Sequence, residues 1–248
     1  MAITIKKLEM VPAYREISND LREQIMDRRI GLGEALPTES TLSELYGVNR
    51  STVREGLRQL EQEGLLQRDG KRLLVSVPSS EVLADAAGRA LRMQQVTLRY
   101  VWLVAGILEP LCAKLAALNA TEADIKALED NLERTQTVVK DGCSPVEVDI
   151  EFQNLVAQAA HNPALSLSRA PMSQLMHAGY SAIAPALPQS GARLLAIHKQ
   201  LVTALKNKDP EAAEQAMQKH MKDYERGCTV AGLDMSQTLS HRSLSLKS

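Results

Sequence analysis

The sequence is short of the residues on which several protein classes depend. It has three cysteines in 248 residues, Cys112, Cys143 and Cys228. They form no Cys-x-x-Cys pair, and an odd, widely spaced set is no disulfide framework, so a reducing compartment is expected. Aromatic residues make up 3%, with one Trp and one Phe, too few for the base-stacking platforms of single-strand nucleic-acid binders. Neither sign of charge is in excess. A formal net charge of −1 argues against a polycation that coats nucleic acid by charge alone, so any DNA contact must come from a local patch. No window approaches the roughly 20 apolar residues of a membrane span. The opening MAITIKKLEM has no long apolar run behind its two lysines. Neither membrane insertion nor secretion is expected, and the cytoplasm is the expected location.

What is present begins with 44% hydrophobic residues, enough for a substantial core in one or two domains. Ile17, Leu21 and Ile25 recur every fourth residue and predict a helix from about Tyr14 to Arg29. Gly31, Gly33 and Pro37 interrupt the pattern, and Thr38 suits the N-cap of a short second helix over ESTLSELY. Gly47 turns the chain, and Asn49 is a suitable N-cap for a third helix running through Val53, Leu57 and Leu60 to Gly64. Two short β-prone runs, LLQR and KRLLVSV, flank the turn dipeptide Asp69-Gly70. Three helices followed by a hairpin is the order of a winged helix-turn-helix.

From about Glu81 to Gly227 apolar residues recur at three and four with no second hairpin signal. Breaks at NATEAD, KDGCSPVEVD, AHNPAL, LPQSG and KNKDPEA divide this stretch into roughly six helices. Thr121 with Asp124, and Ser144 before Pro145, have the form of helix starts. The expected architecture is therefore mainly α. It comprises a winged helix-turn-helix over residues 1–78, an all-helical bundle over 79–227 and a mobile Ser-rich tail over 228–248.

Two constellations carry chemistry. On the third helix, at about 100° per residue, Val53, Leu57 and Leu60 share a narrow arc, while Arg50, Arg54 and Arg58 lie roughly a quarter-turn away. Such a helix fits the major groove, where arginine can donate two hydrogen bonds to guanine, with Ser51 and Thr52 at its start placed for phosphate. The hairpin tip adds Lys71 and Arg72 beside the backbone or in the minor groove. The alternative, arginines that solvate a helix and pair with Glu55, Glu61 and Glu63, is how most surface charge is used. In the second half, Asp149 and Gln153 lie one helical turn apart, and His198 and His220 fall on two later helices. One carboxylate and two imidazoles converging in a bundle would make a transition-metal site; histidines on helices are otherwise solvated or hydrogen-bonded.

The stretch LGEALPTESTLSELYGVNRSTVREGLRQLEQEGLLQRDGKRLLV resembles the DNA-binding domain of GntR-family bacterial transcription regulators. The resemblance implies that Arg50 and Arg54 contact bases and backbone, that Asn49, Ser51 and Thr52 anchor the helix on phosphates, and that Gly70 lets the wing approach the groove. One departure stands out: Ser40 occupies a position where that family usually has arginine. Residues from about Leu98 to Tyr224, with Leu108-Glu109-Pro110, the DIEFQNLVAQAAHNPAL segment and the run from His198 to His220, resemble the FCD ligand-binding domain of the FadR subfamily. In that domain an Asp and three His hold zinc, nickel or a similar divalent ion that helps bind a carboxylate effector. The resemblance maps Asp149, His198 and His220 onto three of these ligands, with Gln153 as a weak fourth in place of His. Ala105 stands where an arginine is common, which makes Arg169 and His177 the candidate partners for an effector carboxylate.

The expected protein is a homodimeric regulator, a repressor by the habit of the family. It would bind double-stranded DNA at a palindromic operator and respond to a small carboxylate effector, with zinc, nickel or manganese as the implied cofactor. Two other classes compete. A metal-dependent hydrolase would use Asp149, His198 and His220 to activate water; against it, no HExxH, Walker loop or Gly-x-Ser-x-Gly elbow occurs. A constitutive architectural DNA binder would use the bundle for dimerisation alone.

Overall fold

The computed structural model describes residues 11–78, 80–183 and 190–239. It divides between Val82 and Leu83 into two compact units.

The first unit is built as its apolar periodicity predicts. Helices α1 (Ala13–Met26), α2 (Glu39–Tyr46) and α3 (Arg50–Gln62) are followed by strands β1 (Leu66–Asp69) and β2 (Arg72–Val75). Ile17, Leu21 and Ile25 of α1 meet Leu42 of α2, Val53, Leu57 and Leu60 of α3, and Leu66, Leu73 and Val75 of the hairpin in one core. The Thr38 side chain accepts from the Thr41 N–H, and Gly47 closes α2 in the left-handed region at φ 66°, a conformation glycine adopts without a Cβ penalty. Gly56 matters for a different reason. A Cβ there would lie 2.8 Å from the Tyr14 carbonyl oxygen, so its missing side chain lets α1 and α3 approach. Ser18 Oγ donates to Gln59 Oε1 at 3.0 Å, and Arg22 forks onto Glu63 at 2.8 and 3.0 Å across the same contact.

The hairpin is antiparallel, with Asp69 paired to Arg72. Its turn is therefore Gly70-Lys71, one residue later than the Asp69-Gly70 reading, and Gly70 supplies the positive φ of 59°. The segment before α2 joins this sheet edge, with Leu36 N–H donating to Leu73 O at 2.8 Å and Gly33 N–H to Val75 O at 2.9 Å.

Seven further helices follow among the described residues: α4 (Ser80–Met93), whose first turn lies before the division, then α5 (Leu98–Asn119), α6 (Glu122–Lys140), α7 (Val146–Ala159), α8 (Pro163–Ile183), α9 (Ser190–Lys206) and α10 (Pro210–Val230) in the second unit. The additional break falls after Met93, where Gln95 takes a left-handed φ of 54° and Thr97 caps α5. No glycine or proline marks it. Thr121 and Asp124 form a reciprocal capping box at the start of α6. The start of α7 differs from the Ser144 reading: Pro145 is the N-cap residue, with no side-chain cap bond.

Helix α5 is the spine. Its small residues Cys112, Ala113, Ala116 and Ala117 bury against Phe152 and Val156 of α7, Leu201 of α9 and Met217 of α10. Its first turns bury Leu98, Val101 and Ala105 against α8 and α10. With 22 residues and an 18-residue stretch of mean hydropathy 1.7, α5 is long and apolar enough to cross a membrane, contrary to the expectation that no stretch approaches that limit. Burial accounts for only part of that composition: 44% of that stretch is buried, and Leu103, Val104 and Ile107 are exposed apolar residues on its other side.

The expected tail also differs. Residues 228–230 complete α10 and the chain then folds back on the start of α5. Arg99 N–H donates to Met235 O at 2.8 Å and Leu239 N–H to Val96 O at 2.9 Å. Leu233 and Leu239 are buried. Residues 240–248 of that tail lie outside the described residues.

Candidate functional site

On α3 the packing face and the basic face separate as the wheel predicts. Val53, Leu57 and Leu60 are buried; Arg50, Arg54 and Arg58 are exposed. Asn49 occupies the N-cap with extended φ and ψ but makes no side-chain cap bond, so its amide stays exposed beside Ser51, with Thr52 half-buried. The arginines are held from α2. Arg50 donates to Ser40 Oγ at 2.6 Å, and Arg54 forks onto the Glu39 carboxylate, with Nε 3.1 Å and Nη2 2.7 Å from Oε2. The Arg54 hydrogen bond holds the Glu39 carboxyl below its usual range. Ser40 thus has a partner in the position where a family arginine was expected. Arg58 makes only a 3.4 Å contact with Glu55. Gly70, Lys71 and Arg72 are exposed at the hairpin tip. The arrangement is an open helix face carrying two oriented guanidinium groups, next to a cationic turn.

The second site lies inside the helical unit. Asp149 and Gln153 point inward from one face of α7, His198 comes from α9 and His220 from α10, all four buried. The ligating atoms of Asp149, His198 and His220 lie within 4.8 Å of one another. His198 Nε2 is 3.2 Å and His220 Nε2 3.5 Å from Asp149 Oδ1. Gln153 Nε2 lies 3.2 Å from Asp149 Oδ1, 3.1 Å from the Tyr180 hydroxyl and 3.0 Å from His220 Nε2. Burial opposes ionisation of Asp149, but the imidazoles of His220 and His198 outweigh it and hold the carboxyl below the usual aspartate range. Burial also lowers the His198 pKa, against the pull of Asp149. Its ring stacks on Phe152 at 3.7 Å between centroids.

Asp149, Tyr180 and His220 form the floor of a cleft of about 80 Å³, walled by Ile183, Leu194 and Ile197, with Arg193, Asp223 and Tyr224 also in its lining. At roughly 10–15 Å³ per water on this measure, it has room for several waters or one small metabolite. Sequence reasoning missed Arg193, Tyr180 and Tyr224. Two signals were available: Tyr224 lies one turn after His220, and Arg193 one turn before Ile197.

Arg169 and His177, the expected effector contacts, are not among the residues that line this cleft. Arg169 is buried and committed to Glu109 Oε1 and Asn154 Oδ1, both at 2.8 Å. An arginine so deep needs a buried carboxylate, and Glu109 of α5 supplies it. His177 is partly exposed, 3.3 Å from Glu147.

The two halves match two family models. Residues 13–72 match the bacterial regulatory proteins of the gntR family, and residues 102–223 match the FCD domain. The HTH-type transcriptional repressor NanR of Citrobacter rodentium (strain ICC168) is 28% identical over 218 residues, covering 83% of this chain and 81% of its own. NanR of Escherichia coli (strain K12) is 27% identical, with 83% and 80% covered. Among solved structures, Streptococcus agalactiae GntR superposes with a TM-score of 0.66 at 25% identity, covering 86% of this chain and 99% of that one.

Proposed function

We propose, from the premise that this chain belongs to the GntR family of bacterial regulatory proteins and carries an FCD domain, that it represses transcription by reading an inverted-repeat operator and releases it on binding a small organic acid. A ligand-responsive, DNA-binding transcription regulator is the function its family and its relatives share. Those relatives are regulators and not enzymes, which leaves the hydrolase reading of Asp149, His198 and His220 without support. A regulator acts where the chromosome is, so the cytoplasm is the compartment proposed.

The observation that carries the DNA reading is the exposed arginine face of α3, with Arg50 and Arg54 oriented from Ser40 and Glu39. In this reading α3 enters the major groove, where Arg50 and Arg54 take guanine edges or phosphates. Asn49, Ser51 and Thr52 meet phosphates at the helix start. Gly70, Lys71 and Arg72 bring the wing to the neighbouring groove.

An inverted repeat asks for a symmetric pair of heads. The occupant proposed for the uncovered side of α5 is a second copy of this chain. Tyr100, Leu103, Val104, Ile107 and Leu111 form a continuous exposed stripe at spacings of three and four, with Ile107 71% exposed. An apolar stripe of this kind is suited to a self-complementary helix contact.

The effector reading rests on the cleft. Its walls are apolar and its floor is polar, the usual make-up of a small-molecule site. Arg193 is half-exposed and only loosely held, 3.7 Å from Asp223, which leaves it free to take a carboxylate in the role first assigned to Arg169 and His177. To release DNA, the effector must bind the DNA-free form better than the bound one, since equal affinity shifts nothing. A thermal-shift screen of organic, sugar and aromatic acids tests this reading. Hits should raise the melting temperature, lower operator affinity and disappear in Arg193→Ala. Operator binding unchanged by every hit would favour a constitutive binder.

A further inference from the structure

The polar centre beneath the cleft has the outline of a divalent-ion site but not its donor set. In a tetrahedral site with bonds of about 2.0–2.2 Å, ligand atoms stand about 3.3–3.6 Å apart. The His198 to Asp149 and His220 to Asp149 separations of 3.2 and 3.5 Å come close to that spacing. The fourth corner departs from it. Gln153 turns its amide nitrogen, not its oxygen, toward the centre, within 3.0–3.2 Å of His220, Tyr180 and Asp149. An amide nitrogen has no lone pair to give a metal; it donates two N–H bonds. The reversed amide would set its oxygen 3.2 Å from Asp149 Oδ1, lone pair against lone pair, so the network itself selects the orientation.

We infer that Gln153 replaces the ion: its two amide N–H donors are shared among Asp149, Tyr180 and His220, and the effector cleft is built to work without metal. The side-chain N–H groups make in neutral form the connections a cation makes by coordination. The cleft floor is then fixed by hydrogen bonds, and its contacts to a ligand are those of Tyr180 and His220 rather than those of a Lewis acid. The inference rests on the effector reading for the use of the cleft, but not for its test, which reads metal content and stability without DNA or effector.

The experiment uses the full chain, purified without chelator from medium supplemented with zinc, nickel and manganese. The readouts are elemental analysis, calorimetric titration with each metal, and melting temperature with and without EDTA. The wild type is expected to carry far less than one ion per chain and to melt at the same temperature with or without chelator. Gln153→His restores an imidazole at the fourth corner, and this variant is expected to take up close to one ion per chain, with a higher melting temperature that EDTA reverses. Near-stoichiometric metal in the wild type, together with a drop in melting temperature on chelation, overturns the inference. A folded Gln153→His protein that takes up no metal also overturns it, because the site would then not be one side chain away from coordination. If that variant does not fold, the wild-type titration decides alone.

Discussion

Arg54 of α3 and Glu39 of α2 form a two-point ion pair across the turn between their helices, with Arg54 Nη2 2.7 Å from Glu39 Oε2. The guanidinium is therefore oriented before any DNA arrives, and a carboxylate sits beside the surface that would face phosphates. Glu39→Gln is expected to raise affinity for unrelated DNA, by removing a negative charge from that face, and to lower the ratio of specific to nonspecific binding, by loosening Arg54. Fluorescence anisotropy at one salt concentration with operator and scrambled duplexes measures both quantities. An unchanged ratio would mean that Glu39 does not position Arg54.

Gly56 lets α1 and α3 pack closely. An alanine there would drive its methyl group onto the Tyr14 carbonyl and the Ile17 side chain, and overpacking of this kind costs about 1–3 kcal/mol. Gly56→Ala should lower the melting temperature of the DNA-binding unit while leaving effector-induced shifts in the second unit intact. Differential scanning calorimetry of the full chain checks it.

Arg22 and Glu63 tie the same two helices at 2.8 and 3.0 Å. The Arg22 hydrogen bond holds the Glu63 carboxyl below its usual range. A carboxyl whose folded pKa is depressed contributes stability above its unfolded pKa and loses it as pH falls through the folded value. Partial exposure limits the pair to about 0.2–1 kcal/mol. Glu63→Gln should therefore cost stability near neutral pH and flatten the acid limb of the stability profile. Urea titrations of both proteins across the acid range read the difference, and parallel acid limbs would contradict it.

The α5 stripe makes a separate prediction. A charge at its most exposed apolar position, Ile107→Asp, should shift the protein from dimer to monomer without unfolding it, because the side chain makes no part of the core. Operator affinity should fall with it, since each arm of an inverted repeat is held by one protomer. Light scattering coupled to size-exclusion chromatography, alongside circular dichroism, separates this outcome from misfolding.

The DNA-binding unit was legible because its signals are local. The spacing of Ile17, Leu21 and Ile25 and the caps at Thr38 and Gly47 act within a few residues of themselves. The hairpin turn was displaced by one because register is fixed by cross-strand pairing of Asp69 with Arg72, which the dipeptide Asp-Gly does not encode. The break at Gln95 was missed because a non-glycine residue takes the left-handed turn there. The packing of Leu233 and Leu239 depends on the distant start of α5. In the second unit the resemblance found Asp149, His198 and His220. Tyr180 comes together with them only through the packing of α8, which no spacing along the chain announces, whereas Arg193 lies one turn before Ile197 on α9. Arg169 looked available in sequence and is spent on Glu109, a pairing across 60 residues.

The most direct test of the central claim is operator binding by α3. Duplexes selected by the wild-type protein from a random-sequence pool should contain an inverted repeat, and anisotropy at fixed salt should show Arg50→Ala and Arg54→Ala each losing roughly 1–3 kcal/mol on them, with relaxed base preference. Lys71→Ala at the wing should weaken binding to all sequences alike and reduce the salt dependence. If both arginine variants bind the selected duplexes as tightly and as selectively as the wild type, α3 is not the element that reads the DNA.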